Sequence, residues 1–258
     1  MRVAMGILLL SLAAAGTAAA AADAPHAAAA RSSPQGDTWA SIAKLPDWSG
    51  VWDFDYSAAA PGGGLVRPAP PHLTPEYAAK YAAYKERQKH GEEQQTSTAN
   101  CVPPGMPQIM AQPYPVEFLF TPGKVTVAIE AYSQMRRIFT DGRKHPEDPD
   151  PTFQGNSIGH WEGDTLVVDT VGFIPTSTIA PGVGHSDQMR ITERIRKISD
   201  DVMEIRQTIV DPKVLTEPYV SVKHYKRHKD WDIEEYICSQ NNHDSADPEG
   251  RAGFKIQE

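Results

Sequence analysis

From residue 115 onward the chain alternates large apolar residues with polar ones, the period of two that belongs to half-buried strands. Val116, Phe118 and Phe120 lead into Thr121-Pro122-Gly123-Lys124, where Pro followed by Gly matches the two central positions of a type II turn. A two-residue loop there sets Phe120 opposite Val125, so Val125, Val127 and Ile129 share a face with the first three. The same reasoning predicts hairpins around Tyr132-Ser133, Gly163-Asp164, Ser199-Asp200-Asp201 and Lys229-Asp230. Earlier, Trp48-Ser49-Gly50-Val51-Trp52-Asp53-Phe54 alternates in the same way and predicts a first strand. One segment carries helical signals instead. Thr74-Pro75-Glu76 supplies a capping hydroxyl, a proline for the first helical position and an acid in the first turn. The Ala-rich run that follows, to His90, places Tyr77, Tyr81 and Tyr84 on one stripe, which reads as helix-to-core packing in preference to a ligand box. Residues 57–73, 142–156 and 174–187 lack a period and predict long loops. About nine or ten short strands joined mostly as hairpins predict a mainly β fold with one helix, either an antiparallel up-and-down barrel or a curled sandwich.

Composition sets the boundaries. Residues 1–22 hold Arg2, the apolar run Ile7-Leu8-Leu9-Leu10-Ser11-Leu12 and a tract of alanines ending in an Ala-x-Ala pattern, which reads as a secretory signal peptide. The apolar part is shorter than the ~20 residues of a spanning helix, and no later run reaches that length. The expected mature chain therefore has no membrane span and is periplasmic or secreted. Residues 23–45 predict a flexible stem, 46–245 the β-barrel domain and 246–258 a C-terminal tail. With 40% hydrophobic residues the chain can build a core, and its net charge of −8 argues against a nucleic-acid partner, which would need a basic footprint. The two cysteines, Cys101 and Cys238, lie in the exported part, where a disulfide is the default and two separate buried thiols are the alternative. The bond would close a long loop, worth roughly 4–5 kcal/mol in the chain-entropy model.

Two stretches, Ser157-Ile158-Gly159-His160-Trp161-Glu162-Gly163-Asp164-Thr165-Leu166-Val167-Val168-Asp169-Thr170 and Asp141-Gly142-Arg143-Lys144-His145-Pro146, resemble a family of secreted bacterial proteins. The resemblance runs through most of residues 46–245 and implies export, but it carries no activity onto these positions. Gly50-Val51-Trp52 looks like the glycine-any-tryptophan element that opens lipocalin-type barrels, which implies a lipocalin-like fold and nothing about the ligand.

Strand parity then supplies the candidate chemistry, because a polar residue on an apolar face is a candidate for burial. With a turn at Gly163-Asp164, His160 shares a face with Ile158, Val167 and Asp169 and lies diagonal to Asp169. An imidazole held by a carboxylate can act as a base, orient a ligand, or serve as a structural pair. Glu193 shares its face with Met189, Ile191 and Ile195, and a register pairing it with Gln207 sets a carboxylate beside an amide in an apolar patch. A hairpin at Lys229-Asp230 makes His224 and Glu235 cross-strand neighbours. His224 and His228 also share a face, but without a third ligand no metal is implied. Of Arg136 and Arg137, one must point inward and find a carboxylate or an anionic ligand. Gly155-Asn156-Ser157-Ile158-Gly159 has its serine out of frame for a nucleophile elbow, and neither a phosphate loop nor a His-Glu-x-x-His motif is present, so no cofactor is implied.

The leading expectation is an exported barrel that binds a small, largely apolar molecule carrying an acidic or hydroxyl group. The rival is a cofactor-independent isomerase, lyase or hydratase with catalytic His160, Asp169, His224 and Glu235, and with Arg136, Arg137, Glu193 and Gln207 binding the substrate. A third is an interaction module whose long loops contact another, unidentified envelope protein.

Overall fold

The computed structural model describes residues 36–55, 69–91 and 101–238, together with the backbone of two short strands further on. The predicted signal peptide, the first part of the predicted stem and most of the loop predicted at 57–73 lie outside the described residues. A single helical turn, α1 (Trp39–Ile42), precedes β1 (Val51–Phe54) and the one long helix, α2 (Pro75–Lys89). Then come β2 (Val116–Thr121), β3 (Lys124–Ile129), β4 (Gln134–Phe139), β5 (Asn156–Glu162) and β6 (Thr165–Val171). A small hairpin, β7 (Thr178–Ala180) and β8 (Val183–Gly184), interrupts the loop predicted at 174–187. The long strands β9 (Arg190–Ser199), β10 (Val202–Val210) and β11 (Tyr219–His228) follow, and β12 (Asp244–Ala246) and β13 (Ala252–Phe254) pair with each other.

Nine of these strands close into a barrel in the order β1-β11-β10-β9-β6-β5-β4-β3-β2. The predicted barrel is present, with one departure from the antiparallel pattern: β4 and β5 run parallel, pairing Ile138 with Ser157 and Phe139 with Ile158. The reason is arithmetic, since strands that alternate in direction cannot close a ring of odd number without one parallel seam. A parallel pair needs a crossover, and residues 140–155, most of them in the loop predicted at 142–156, supply it. Gly159 packs at this seam, where a Cβ would sit 2.9 Å from Ile138 Cγ2.

Two local hairpins have the predicted register, Phe120 facing Val125 and Trp161 facing Leu166, and the hairpin predicted around Ser199-Asp200-Asp201 also forms, with Ser199 opposite Val202 and a register shift just after it. The hairpin predicted at Lys229-Asp230 does not form. The free edge of β11 is taken by β1 instead, with Val51 opposite His228 and Phe54 opposite Tyr225. Barrel closure satisfies those backbone groups and leaves no exposed strand edge, so residues 231–237 leave the sheet without strand structure.

The two ends of the barrel differ. At the end of the β2–β3 and β5–β6 turns, the ring of Trp48 packs 5.2 Å from Phe118 and 5.1 Å from Trp161, forming an aromatic plug. The described part of the predicted stem is ordered at this end. Thr38 and Ser41 form a reciprocal capping box on α1, and the Gly36 carbonyl accepts from Gly123 N at 2.9 Å. At the opposite end lie α2, the β7–β8 hairpin and a 3-10 turn at Gln108–Ala111. Thr74, at the start of α2, does not cap the helix with its side chain. Its hydroxyl donates to Lys213 O at 3.0 Å and its amide to Val214 O at 2.9 Å, fastening the helix to the β10–β11 connection. The predicted disulfide joins Cys101 to Cys238 with Cα atoms 5.6 Å apart. No helix among the described residues is long and apolar enough to cross a membrane.

Candidate functional site

Alternation along each strand sends one residue in two into the barrel. For most strands these inward positions are apolar, but across six neighbouring strands they form a polar layer: Arg136 on β4, Ser157 on β5, Thr170 on β6, Glu193 on β9, Gln207 on β10, and Ser221 with Lys223 on β11. Arg136 is therefore the inward arginine, and Arg137 is exposed on the outer face. Arg136 and Glu193 are both 0% exposed and form a close ion pair. The guanidinium also donates to Thr170 Oγ1 at 3.0 Å and to Ser157 Oγ at 3.3 Å. Glu193 and Gln207 are cross-strand partners, as the sequence predicts, and Gln207 Nε2 donates to Glu193 Oε1 at 2.9 Å. Burial pushes the Glu193 carboxyl upward, but Arg136, the Gln207 amide and the charge of Lys223 together outweigh it and hold the group below the usual glutamate range.

Gln207 then turns the layer toward the cavity. Its amide nitrogen serves Glu193 while its Oε1 accepts a close hydrogen bond from Lys223 Nζ. Lys223 Nζ also donates to Ser221 Oγ at 3.1 Å. Among the described residues these two are its hydrogen-bond partners, and both are neutral. The single nearby carboxylate is already matched by Arg136, so it offsets little of the cost of burying the ammonium, and Lys223 falls from the usual 10.5 to about 8.

Lys223, Ser221 and Gln207 line one side of a cavity of about 820 Å³ at the α2 end of the barrel. Its other walls come from Tyr81 and Tyr84 on α2, from Ile179 and Val183 on the β7–β8 hairpin, and from Ile209 and Tyr219 on the barrel wall. The walls are fixed to one another. Gln108 Nε2 donates to Ile179 O at 2.7 Å, and Tyr225 Oη donates to Met110 O at 2.5 Å. Gly182, at the turn of the small hairpin, has φ +77° and sits so close beneath the Tyr84 ring that a Cβ would lie 2.2 Å from it. The tyrosine stripe thus does more than the core packing expected of it: Tyr77 and Tyr81 pack on the core, while Tyr81 and Tyr84 also wall the cavity.

The predicted histidine pairs lie elsewhere. His160 faces Val167 in the predicted register, but that face is the outer one: His160 is exposed and its ring contacts Glu162 at 3.2 Å. Trp161, Leu166 and Val168 occupy the opposite, inward face and bury more apolar surface there. Asp169 is bound instead by Arg190, with 2.6 Å from Nε to Oδ1, and by His145 Nε2 at 2.9 Å. His145 Nδ1 contacts Asn156 Oδ1 at 2.7 Å. Residues 141–146 and 157–170 therefore meet in space, where His145 clasps the crossover loop to β6. His224 also faces outward, 3.7 Å from Glu204, and Glu235 is exposed beyond the end of β11.

Lys223, Ser221, Ser157 and Thr170 were missing from the candidate residues. A signal for Lys223 was present in the odd-numbered aromatics Tyr219 and Tyr225, which share its face, but Val220 and Val222 make the other face look equally apolar. The chain matches no protein-family model and no curated protein, so its geometry alone speaks to function.

Proposed function

We propose that the protein is an exported barrel that binds a small, largely apolar molecule in the cavity beneath α2, with an acidic or hydroxyl group of that molecule set against Lys223. One observation carries the reading: a buried lysine with only neutral hydrogen-bond partners forms part of the wall of an otherwise mostly apolar and aromatic cavity. Cavities of ~300–1,000 Å³ with a few convergent polar groups are the ordinary form of a small-molecule site. An anion beside Lys223 would supply the counter-charge its surroundings lack, and a hydroxyl could bond to Ser221 or Gln207. The predicted acid–base pairs do not line this cavity, so nothing in the geometry favours the enzymatic reading over binding.

The test is direct. 2-Naphthoate, which joins an aromatic frame to a carboxylate, is titrated into the purified protein and followed by calorimetry. Saturable one-to-one binding that weakens about tenfold or more in Lys223→Met supports the reading, in line with the cost of losing a charge-assisted contact. Binding that is unchanged in Lys223→Met removes the cavity from the account. Organic extraction of protein purified from its native envelope would then identify the natural ligand.

A further inference from the structure

We propose that Lys223 forms a reversible covalent imine with an aldehyde or ketone held in the cavity, so that the ligands of this barrel include carbonyl compounds as well as acids. The inference rests on the binding reading above and adds chemistry to it. Three features of the site point the same way.

The first is the state of the amine. Only an uncharged amine has the lone pair that attacks a carbonyl carbon, and an ordinary lysine holds almost none of it near neutral pH. The environment of Lys223 removes the usual reasons to stay charged: it is 9% exposed, and its two hydrogen-bond partners are the neutral Gln207 and Ser221. The fall from 10.5 to about 8 raises the neutral fraction near pH 7 roughly 300-fold over an unperturbed lysine. By contrast, Lys80 and Lys213 are exposed and sit in ion pairs with Glu76 and Asp187, which push both of them upward.

The second is the supply of protons. Nζ attacks the carbonyl carbon, a C–N bond forms, and the C=O π bond breaks to leave oxygen that takes up a proton. Loss of a proton from nitrogen gives the carbinolamine; a second proton delivered to its oxygen lets that oxygen depart as water and leaves the protonated C=N bond, with no change of oxidation state. The Ser221 hydroxyl, 3.1 Å from Nζ, is placed to relay a proton between nitrogen and oxygen. Tyr219 lines the same cavity, and burial raises its phenol so that it stays protonated and able to donate.

The third is the wall. Tyr81, Tyr84, Ile179, Val183 and Ile209 give the cavity that Lys223 lines a largely aromatic and aliphatic surface, interrupted by the polar Lys85, Gln88 and Gln108, which favours an apolar carbonyl compound.

The experiment uses 2-naphthaldehyde with sodium cyanoborohydride at pH 7, intact-protein mass measurement and peptide mapping. The expected result is one naphthylmethyl group per chain, mapped to Lys223, forming at least about tenfold faster than on any surface lysine and slowed by excess 2-naphthoate. Lys223→Met, checked for native circular dichroism, should lose that adduct. Because the map is made on the unaltered protein, the result does not depend on the variant folding. Labelling spread over surface lysines, or no faster at Lys223 than at them, overturns the proposal. If 2-naphthoate binds but Lys223 is not labelled, the imine is excluded and the binding reading stands. If neither molecule engages the cavity, both fall.

Discussion

Lys223 and the Arg136–Glu193 pair are charged groups in one interior layer, and the protein treats them in opposite ways. Arg136 and Glu193 are matched to each other, with both carboxylate oxygens hydrogen-bonded, while Arg136 Nη1 is buried without a hydrogen-bond partner among the described residues. Breaking such a pair leaves an uncompensated buried charge. Arg136→Met should therefore cost ~3–5 kcal/mol in urea unfolding, and a loss under 1 kcal/mol would show that Glu193 is not held by Arg136. The stabilisation from Glu193 is present above the ordinary glutamate pKa and is lost as pH falls through its lower folded value. Lys223 works against stability instead. Its ammonium is favoured in the unfolded chain, so folding carries a penalty of ~3 kcal/mol below pH 8, which disappears as pH rises from about 8 to 10.5. The wild type should accordingly gain on Lys223→Met across that window in parallel melting curves. A constant difference between the two at all pH values would mean that Lys223 titrates normally.

At the scale of elements, the barrel supplies a rigid wall and the cavity depends on what is fastened to its rim. α2 has no fully buried residue and is held through Thr74, through Tyr77 and Tyr81 on the core, and through the contact of Tyr84 with Gly182. Gly182 is doubly constrained, because its positive φ disfavours any side chain and the Tyr84 ring occupies the place of a Cβ. Gly182→Ala should cost ~1–3 kcal/mol and weaken 2-naphthoate binding by shifting Tyr84, while leaving the circular dichroism of the barrel intact. Unchanged stability and affinity would show that the hairpin and helix are not coupled there.

At the scale of the whole molecule, the disulfide and the first strand complete one closure. Cys101 precedes β2 and Cys238 follows β11, so the bond ties together the ends of the segment that contains every barrel strand except β1. β1 then fits between β11 and β2 and closes the ring. With 137 positions between the cysteines, the chain-entropy model assigns the bond ~4–5 kcal/mol. Cys101→Ser/Cys238→Ser should lose about that much in urea unfolding, chiefly by enlarging the unfolded ensemble. A loss below ~1 kcal/mol would show that barrel closure holds these ends without the bond.

The sequence by itself determined what is local or parity-bound: the registers at Pro122-Gly123 and Gly163-Asp164, the extent of α2, the Glu193–Gln207 pairing, and the need for one of Arg136 and Arg137 to face inward. These follow from a side-chain period of two and from turn geometry, which act over a few residues. Tertiary structure decided which face is the inside. β5 and β6 carry apolar residues on both faces, as does β11, so His160, Asp169 and His224 were assignable to either side until the remaining strands closed around Trp161, Leu166 and Tyr225. It also decided the fate of the edge of β11. A hairpin at Lys229-Asp230 was locally sound, but pairing with β1, distant in sequence, satisfied the same backbone groups and closed the ring. The site followed from that closure, because Lys223 meets Gln207, and Tyr84 meets Gly182, only when distant segments converge at one end of a barrel.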